Sequence, residues 1–299
     1  MNKVCIIGGS RYFGRHLIAS LLADGDAITV VNRGSAPAPA GVRHLIADRD
    51  DEAGLRAALR DSDFDVVVDQ VCYTPVQAAI ARRVFAGRTA RYVMTSTIEV
   101  YHPGTSERLV EGADPVAEDV VDLRAWPVDP DQPWDDASFR DAHYGEGKRQ
   151  AEAVLTGAPF PVATIRSGHV IGGGSADFTG RLAHYVDRIA AGVPIGIHAV
   201  NHPSSFVTDR QIAEVLRWAV RTEVRGPVNA ASTLLDVHQL GAAIAAAGGG
   251  TPRYAVVAPD QASPYAFDRY YAMDTTRIAD LGFTFDDGFG RAIAEGVGA

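Results

Sequence analysis

Tyr144 and Lys148 are the side chains of this sequence best placed to do chemistry. Residues 144–155 have the apolar spacing of a helix, and a separation of four residues places both side chains on one helical face. A protonated ammonium beside a phenol favours the phenolate form. The pair therefore predicts a site that donates or accepts a proton at an alcohol or carbonyl carbon.

Hydroxyl side chains end a predicted strand elsewhere in the chain. The strand predicted at residues 92–96 ends in Thr95 and Ser96, and Thr97 follows it. In open α/β sheets, ligands bind outside the carboxyl ends of the strands. We therefore expect hydroxyls of this group to face a ligand.

A glycine-rich turn lies near the N-terminus. The apolar run at residues 4–7 is followed by Gly8-Gly9-Ser10-Arg11-Tyr12-Phe13-Gly14, and then by the apolar spacing of a helix over residues 15–23. Glycines in such a turn let backbone amides approach a pyrophosphate at the positive end of the helix. All seven residues are predicted to bind a dinucleotide, and the alternative is a tight turn without a ligand.

The end of the second predicted strand, at residues 28–32, indicates which dinucleotide the protein binds. Folds that prefer NAD usually place an acidic residue there, to bind the ribose diol. This chain has Asn32-Arg33 instead, and Arg11 lies in the glycine turn. Because guanidinium groups bind phosphate well, NADP(H) is favoured and NAD(H) is the alternative, while both arginines can also be solvated surface charges. Asp48, which ends the third predicted strand, is either an acceptor for the adenine amino group or a surface acid.

The hydrophobic pattern predicts the fold that carries these residues. Strands and helices alternate over the first half of the chain, and the strands are continuous Val/Ile runs without polar alternation. Such runs are typical of a parallel sheet covered by helices on both faces. The fold class is therefore α/β, with a Rossmann-type doubly wound parallel sheet. The predicted strands are residues 4–7, 28–32, 44–47, 65–69, 92–96 and 162–166, and the predicted helices are residues 15–23, 52–60, 75–85 and 144–155.

Two parts of the chain interrupt this alternation. Residues 102–143 are acidic and irregular, which is typical of a functional loop, and Trp126 and Trp134 within them either wall an apolar substrate or pin the loop to the core. Beyond residue 174, predicted helices and short strands follow in irregular order. We expect a dinucleotide-binding domain over residues 1–174 and a smaller mixed substrate lobe over residues 175–299, with some of its segments returning to the first domain.

Composition excludes several classes of protein. A formal net charge of −9 repels phosphate backbones, which argues against nucleic acid as the main partner. Cys5 and Cys72 lack the paired spacings of zinc sites and disulfide frameworks, as expected in a reducing cytoplasm. The first apolar run is too short for a secretion signal or a membrane span. We expect a cytoplasmic protein without a membrane partner.

Taken with these motifs, the chain resembles the extended or atypical short-chain dehydrogenases/reductases, the NAD-dependent epimerase/dehydratase family. The resemblance implies that Tyr144 is the general acid/base and that Lys148 holds the nicotinamide ribose. It also implies a catalytic hydroxyl three residues before Val100, which is Thr97, with Ser96 as the alternative. The resemblance covers nearly the whole length of the chain. Near the C-terminus, Asp274-Thr275-Thr276-Arg277 followed by Leu281-Gly282-Phe283 is similar to the family's closing segment.

A further segment, Arg166-Ser167-Gly168-His169-Val170-Ile171-Gly172, is similar to the family's stretch beside the nicotinamide. The resemblance implies that Val170 meets the carboxamide through its backbone. The glycine turn departs from the family's Gly-x-x-Gly-x-x-Gly and is closest to an atypical subgroup of mixed function. The substrate therefore does not follow from the resemblance.

Three residues are candidate substrate contacts. His143 precedes the tyrosine, and His169 lies in the segment beside the nicotinamide, with local packing as the alternative for both. Arg181 lies where similar enzymes hold a nucleotide diphosphate. No metal site is predicted, because only His198 and His202 have a ligand-like spacing and no third ligand accompanies them.

These observations predict an NAD(P)-dependent oxidoreductase that acts on a small molecule and transfers hydride at a secondary alcohol or ketone carbon. One alternative is a sugar-nucleotide epimerase or dehydratase that retains NAD. An alternative of another class is a non-catalytic nucleotide-sensing or RNA-binding protein of the same fold. Relatives often pair through helices like those predicted at residues 75–85 and 144–155, which makes a homodimer an option.

Overall fold

The computed structural model describes residues 1–35, 39–106, 108–109, 112 and 114–298. Its strands are β1 (Lys3–Ile7), β2 (Ala27–Asn32), β3 (Arg43–Ile46), β4 (Phe64–Asp69), β5 (Thr89–Thr97), β6 (Val162–Ser167), β7 (His169–Ile171), β8 (Ile195–Ile197), β9 (Ser204–Thr208), β10 (Gly226–Ala230), β11 (Thr233–Leu235) and β12 (Tyr254–Val256). Its helices are α1 (Phe13–Ala23), α2 (Glu52–Leu59), α3 (Pro75–Phe85), α4 (Ala137–Ala142), α5 (Tyr144–Thr156), α6 (Arg181–Ala191), α7 (Asp209–Arg221), α8 (Val237–Gly248), α9 (Thr276–Asp280) and α10 (Phe289–Val297). None of the helices within these described ranges is both long and apolar enough to cross a membrane.

Seven strands form the large sheet, in the order β10-β6-β5-β4-β1-β2-β3. The chain runs outward from β1 through β2 to β3, and then returns to place β4, β5 and β6 on the other side of β1. The order therefore reverses between β1 and β4, and this switch point is where open α/β sheets bind their ligands. The doubly wound α/β fold predicted from the sequence is confirmed.

Apolar burial explains why these strands and helices assemble. Val66, Val67 and Val68 of β4 are fully buried, as expected for a strand covered on both faces. Helix α3 starts where Thr74 accepts a hydrogen bond from the Gln77 amide and Pro75 occupies the first turn, which is a typical helix start. One core cluster joins the strands to helices α2, α3 and α5; its helical members include Leu55, Leu59, Val84, Phe85, Ala151 and Leu155.

The chain divides into two compact units. The first contains Met1–Val110, Glu118–Arg166 and Ala213–Val228, and the second contains Glu111–Ala117, Ser167–Ile212 and Asn229–Ala299. The predicted domain boundary at residue 174 and this division differ, because β7 pairs in parallel with β9 and so joins the second unit. Part of the second half returns to the first unit as residues 213–228, which include most of α7.

The second unit has its own small sheet and core. Strand β9 lies between β7 and β11, in parallel with β7 and antiparallel to β11, and β8 pairs separately with β12. Helices α6, α8 and α10 contribute Leu182, Tyr185, Ile244 and Ile293 to a core with Phe206 and Tyr265. This is the smaller mixed lobe that the sequence predicts.

Candidate active site

The glycine turn after β1 has a backbone that other residues would not tolerate. Gly8 and Gly9 have φ values of 84° and 75°, which L side chains rarely adopt. A Cβ at Gly14 would overlap the Cα of Gly9 and would lie 2.5 Å from the Gly9 carbonyl oxygen. Tyr12, which lies between Gly9 and Gly14, also has a positive φ of 50°. The centre of its ring lies 5.7 Å from that of Phe13. The turn is therefore held in one close-packed conformation.

Helix α1 begins at Phe13, near the end of this turn, and no side chain of the described residues forms a capping hydrogen bond at its N-terminus. Backbone amides at an uncapped helix start bind phosphate through hydrogen bonds and the helix dipole. The turn and the helix start lie at the carboxyl end of β1, beside the switch point. Binding of a dinucleotide pyrophosphate by these residues stays a prediction.

Gln70 is a residue of this site that the sequence analysis missed. It follows β4, which pairs with β1 so that Ile7 lies opposite Asp69. Its Oε1 atom would lie 2.5 Å from a Cβ at Gly14 and 3.4 Å from a Cβ at Gly9. Its Nε2 atom is buried and has no hydrogen-bond partner in the described part of the chain. In the sequence, Gln70 is recognisable only as a residue that follows a predicted strand. Its place beside the glycine turn becomes clear once β4 is known to lie next to β1.

Asn32, at the end of β2, is held by its neighbours. Its Nδ2 atom donates to the Ser10 hydroxyl across 2.6 Å, and its Oδ1 atom lies 2.9 Å from Nε2 of His44 and accepts from the Gly34 amide. This network connects the glycine turn to the ends of β2 and β3. The predicted cofactor residues Ser10 and Asn32 are therefore in direct contact.

The predicted phosphate-binding arginines lie on the surface. Arg11 and Arg33 are both exposed, one in the glycine turn and one directly after β2. Asp48 is also exposed, and its carboxylate accepts a hydrogen bond from the Asp50 amide within its own turn. Exposed guanidinium groups can approach a phosphate at little desolvation cost.

The phenol and the ammonium are brought together at the start of α5. Tyr144 is the first residue of the helix, and Nζ of Lys148 lies 5.8 Å from the centre of its ring. Lys148 is 2% exposed and donates to the carbonyl oxygen of Thr95, on β5, across 2.8 Å. Burial lowers the pKa of Lys148 to about 8. At pH 7 Lys148 is therefore still mostly charged, and a charged ammonium beside a phenol favours the phenolate.

Ser96 and Thr97 are neighbours whose hydroxyls have different partners. The Thr97 hydroxyl accepts from the Glu99 amide at the carboxyl end of β5, across 3.2 Å. The Ser96 hydroxyl donates to Oε1 of Glu152 across 2.5 Å. Adjacent residues of a strand point to opposite faces, and the Ser96 hydroxyl lies in a network that the sequence analysis did not foresee.

That network is centred on Arg166. Its guanidinium donates to both carboxylate oxygens of Glu152, with the shortest distance at 2.6 Å, and to the Tyr101 hydroxyl at 2.7 Å. It also donates to the carbonyl oxygen of Glu118. Arg166 and Glu152 are both fully buried, so the pair needs all these hydrogen bonds to offset its desolvation. It fixes α5 against β5 and β6.

A second buried ion pair supports the segment that follows β4. Arg49 donates to Oδ2 of Asp69 across 2.5 Å, and the Tyr92 hydroxyl donates to the same oxygen across 2.6 Å. The other carboxylate oxygen of Asp69 accepts from the Val71 amide. This arrangement fixes residues 70–73 beside the glycine turn. Its members lie on three different strands or strand ends, so no local pattern predicts it.

The acidic loop at residues 102–143 is anchored on α5. Residues 107, 110, 111 and 113 of the loop lie outside the described residues, and short helices form at Pro103–Thr105, Glu118–Val120 and α4. The Trp126 indole donates to Glu146, and its ring faces the Arg149 guanidinium. Trp134 is 5% exposed and lies 3.1 Å from the place of a Cβ at Gly147. Both tryptophans therefore pin the loop to the helix.

His143 lies between this loop and Tyr144. Its ring stacks on Phe139 with 3.9 Å between the centres, and its Nδ1 atom lies 2.9 Å from the Phe139 carbonyl oxygen. Local packing thus accounts for the contacts of the ring. A contact between His143 and substrate stays a prediction.

The remaining predicted residues belong to the second unit. His169 is buried, its ring stacks on Phe267 with 4.5 Å between the centres, and its Nε2 atom has no partner among the described residues. Burial lowers the pKa of His169 to about 3, and the charge of Arg181 adds to this effect. The Val170 carbonyl oxygen accepts from the Tyr265 hydroxyl across 3.0 Å, and Arg181 is exposed at the start of α6. Within the described ranges, no group of three or more His, Cys, Asp or Glu side chains could hold a metal ion.

Comparison with solved structures finds several with a similar fold. The fold is similar to that of the Bordetella bronchiseptica enzyme WbmH in complex with NAD+, at 18% identity and a TM-score of 0.75, over 100% of this chain and 97% of that chain. It is also similar to the UDP-glucose 4-epimerase of Thermus thermophilus in complex with NAD, at 19% identity and a TM-score of 0.73, over 99% of this chain and 98% of that chain. A third similar structure is the UDP-N-acetylglucosamine 4-epimerase of Bacillus cereus, at 18% identity and a TM-score of 0.71, over 99% of this chain and 98% of that chain.

At these identities the solved structures establish the fold. No curated protein matches the sequence. Residues 4–118, which include the glycine turn, β4 and the hydroxyls of β5, match the model of the NAD dependent epimerase/dehydratase family. The family match therefore covers residues 4–118, and over its whole length the chain shares the fold of the solved structures.

Proposed function

We propose that this protein is an NAD-dependent epimerase or dehydratase that acts at a secondary carbinol carbon of a nucleotide-linked sugar. The observation that carries the proposal is the Tyr144–Lys148 pair, which a hydrogen bond ties to β5 two residues before the Thr97 hydroxyl. The fold shared with solved sugar-nucleotide epimerases supports the same choice. The sequence alone favours a different function, a reductase that exchanges NADP(H) with solution.

The residues of the first unit have separate roles in this proposal. When bound here, a nicotinamide dinucleotide would accept the hydride of the carbinol carbon and return it to the substrate later in the same turnover, so that no net oxidation remains. The Tyr144 phenolate takes the proton of the substrate hydroxyl, and the Lys148 ammonium stabilises the phenolate beforehand. The Thr97 hydroxyl orients the substrate oxygen, and the glycine turn with the start of α1 binds the pyrophosphate.

Three residues of the second unit stay proposed contacts of substrate or cofactor. The Arg181 guanidinium suits the diphosphate of a nucleotide sugar. Burial lowers the pKa of His169 to about 3, so His169 is neutral at pH 7 and is proposed to act as a hydrogen-bonding group and not as an acid. Val170 is proposed to meet the carboxamide through its backbone.

A second candidate is a reductase or dehydrogenase that exchanges NADP(H). The exposed guanidinium groups of Arg11 and Arg33 favour it, together with Asn32 at the position where NAD-binding folds usually have an acid. The two candidates differ in whether the dinucleotide leaves after each turnover. That difference can be measured directly.

The test begins with the dinucleotide. The purified protein is denatured, and any released nucleotide is identified by chromatography and mass spectrometry. The protein is then incubated with UDP-glucose, UDP-glucuronic acid and UDP-N-acetylglucosamine, and products are followed by proton NMR. We expect NAD in the released fraction and a product that is either epimerised or has lost one water.

Other outcomes separate the alternatives. Stoichiometric oxidation of added NADPH by a ketone, with no retained NAD, would establish the reductase instead. Binding of neither dinucleotide would overturn both candidates and favour a non-catalytic role.

A further inference from the structure

Lysine is used in a very selective way in this chain. Lysine and arginine together number 28, yet Lys3 and Lys148 are the only lysines of the sequence. Lys3 is exposed at the start of β1, whereas Lys148 is 2% exposed within the first unit. A buried ammonium loses its hydration and needs compensating contacts to stay charged.

Hydrogen bonding alone does not account for that compensation. The ammonium has three N–H donors, and the hydrogen bond to the Thr95 carbonyl oxygen uses one of them. Asp69 and Glu152 have charges that favour the protonated form, but these carboxylates are paired with Arg49 and Arg166. The guanidinium groups therefore offset part of the negative charge of these carboxylates.

Two aromatic rings provide the closer contact. Nζ of Lys148 lies 4.6 Å from the ring centre of Tyr73 and 5.8 Å from that of Tyr144. Both distances are within the range of about 6 Å over which a ring face attracts a cation. The ring that has no assigned role, Tyr73, is the nearer of the two.

Tyr73 is held firmly in this place. Its amide donates to the Gln77 side chain on α3 across 2.7 Å, and Gln77 in turn donates to Asp50 across 2.7 Å. Its carbonyl oxygen would lie 2.5 Å from a Cβ at Gly147, the residue before Lys148. The ring centres of Tyr73 and Tyr144 are 6.2 Å apart. The backbone contact between Tyr73 and α5 thus fixes the ring relative to the ammonium.

We propose that Tyr73 is a positioning residue whose ring face holds the Lys148 ammonium in its charged form beside Tyr144. The ring acts through Lys148 and transfers no proton itself. The catalytic consequence, a phenol that is easier to ionise, rests on the proposed function. The contact with the ammonium does not.

Other groups that influence this ammonium set the background. Burial is the largest effect and lowers the pKa of Lys148 to about 8; the charges of Asp69 and Glu152 oppose it, and that of Arg49 adds to it. Burial raises the pKa of the Cys72 thiol to about 12, so this thiol is neutral in the same range. Burial raises the pKa of Tyr73, so its phenol stays neutral over the range in which Lys148 titrates. The ring therefore acts as a π face and not as an anion.

The scarcity of lysine makes the inference directly testable. Protein labelled with [ε-¹³C]lysine gives two side-chain signals, and Lys3→Arg leaves only that of Lys148. The pKa of Lys148 is then measured from the pH dependence of its ¹³C shift in the complete chain. Tyr73→Leu removes the ring face, and Tyr73→Phe keeps it while removing the hydroxyl.

We expect Tyr73→Leu to lower the pKa of Lys148 by about 0.5–1 unit, from the usual strength of such contacts. Tyr73→Phe should leave it within about 0.2 unit of the parent, since Phe retains the π face. An unchanged value in Tyr73→Leu would overturn the proposal. Equal shifts in both variants would also overturn it, because they would implicate the hydroxyl.

A second series covers the case in which Tyr73→Leu does not fold. Phenylalanines with one, two and three fluorine atoms at position 73 keep the shape of the ring and weaken its negative face stepwise. The pKa of Lys148 should fall in the same order, and the absence of a trend would contradict the proposal.

These measurements use the protein without substrate. A protein that shows the trend but has no epimerase or dehydratase activity would retain the ring contact and lose the proposed function. Activity without the trend would do the reverse.

Discussion

The hydroxyl of Ser96 donates to the buried carboxylate of Glu152 across 2.5 Å, while the next residue, Thr97, engages the backbone at the strand end. The sequence analysis prefers Thr97 as the catalytic hydroxyl and keeps Ser96 as the alternative, and in the structure these two hydroxyls have different hydrogen-bond partners. Ser96 belongs to the Arg166–Glu152 pair, which holds α5 in place. Thr97 keeps the role of a candidate catalytic hydroxyl.

Substitutions at these two positions should separate stability from activity. Ser96→Ala leaves a buried carboxylate with one hydrogen bond fewer and should lower the free energy of unfolding by about 1–3 kcal/mol. Thr97→Val keeps the shape and should cost less stability but most of the turnover. Urea titrations and turnover assays of both variants check this. Comparable loss of turnover in both would remove the distinction.

Removal of the Tyr144 hydroxyl should impair the chemical step alone. Tyr144→Phe is expected to reduce turnover by about 10²-fold or more, the usual contribution of a positioned acid/base, with dinucleotide affinity nearly intact. Tyr254→Phe is the control, because it removes a hydroxyl that contacts a carbonyl oxygen in the second unit. If Tyr144→Phe matched the parent in turnover, the non-catalytic alternative would return.

The exposed arginines should show which dinucleotide the site prefers. If they clamp a 2′-phosphate, Arg11→Ala with Arg33→Ala should weaken NADPH binding more than NADH binding. Isothermal titration with both dinucleotides measures this, and Arg15→Ala, an exposed arginine on α1, is the control. Equal losses of affinity for NADPH and NADH would show that the two arginines do not bind a 2′-phosphate, and would support NAD as the cofactor.

Gly14 should be intolerant of any side chain. In Gly14→Ala the new methyl would meet the Gly9 backbone and Oε1 of Gln70, so we expect a loss of about 1–3 kcal/mol in stability and a larger loss in dinucleotide affinity. Gly290→Ala is the matched control, because a Cβ there meets nothing within 4 Å and lies in helix α10. Normal dinucleotide binding by Gly14→Ala would contradict the proposed cradle.

His169 should make the protein sensitive to acid. Its pKa is about 3 when folded and 6.5 ordinarily, so between these values the unfolded chain binds a proton that the folded chain does not. The stability that depends on neutral His169 is therefore lost as the pH falls through this window. Relative to His169→Phe, the parent should lose about 2 kcal/mol between pH 7 and pH 4.5. Urea unfolding at both pH values measures the gap, and a constant gap would refute the assignment.

Local patterns were sufficient for the fold and for the first elements of the site. Val/Ile runs predict buried parallel strands because such strands are covered on both faces. The glycine turn and the Tyr144–Lys148 spacing are also local, since the first spans seven consecutive residues and the second spans five. These features depend on backbone conformation and helical repeat, which short stretches of sequence determine.

Contacts between distant parts of the chain were decided by the tertiary structure. Gln70 and Tyr73 became site residues only because β4 lies next to β1 and its end meets α5. The pairing of Arg49 with Asp69 and of Ser96 with Glu152 likewise depends on strand order and on the face to which each side chain points. Neither the order of strands nor the register between elements is encoded in a short window, because both result from the packing of the complete core.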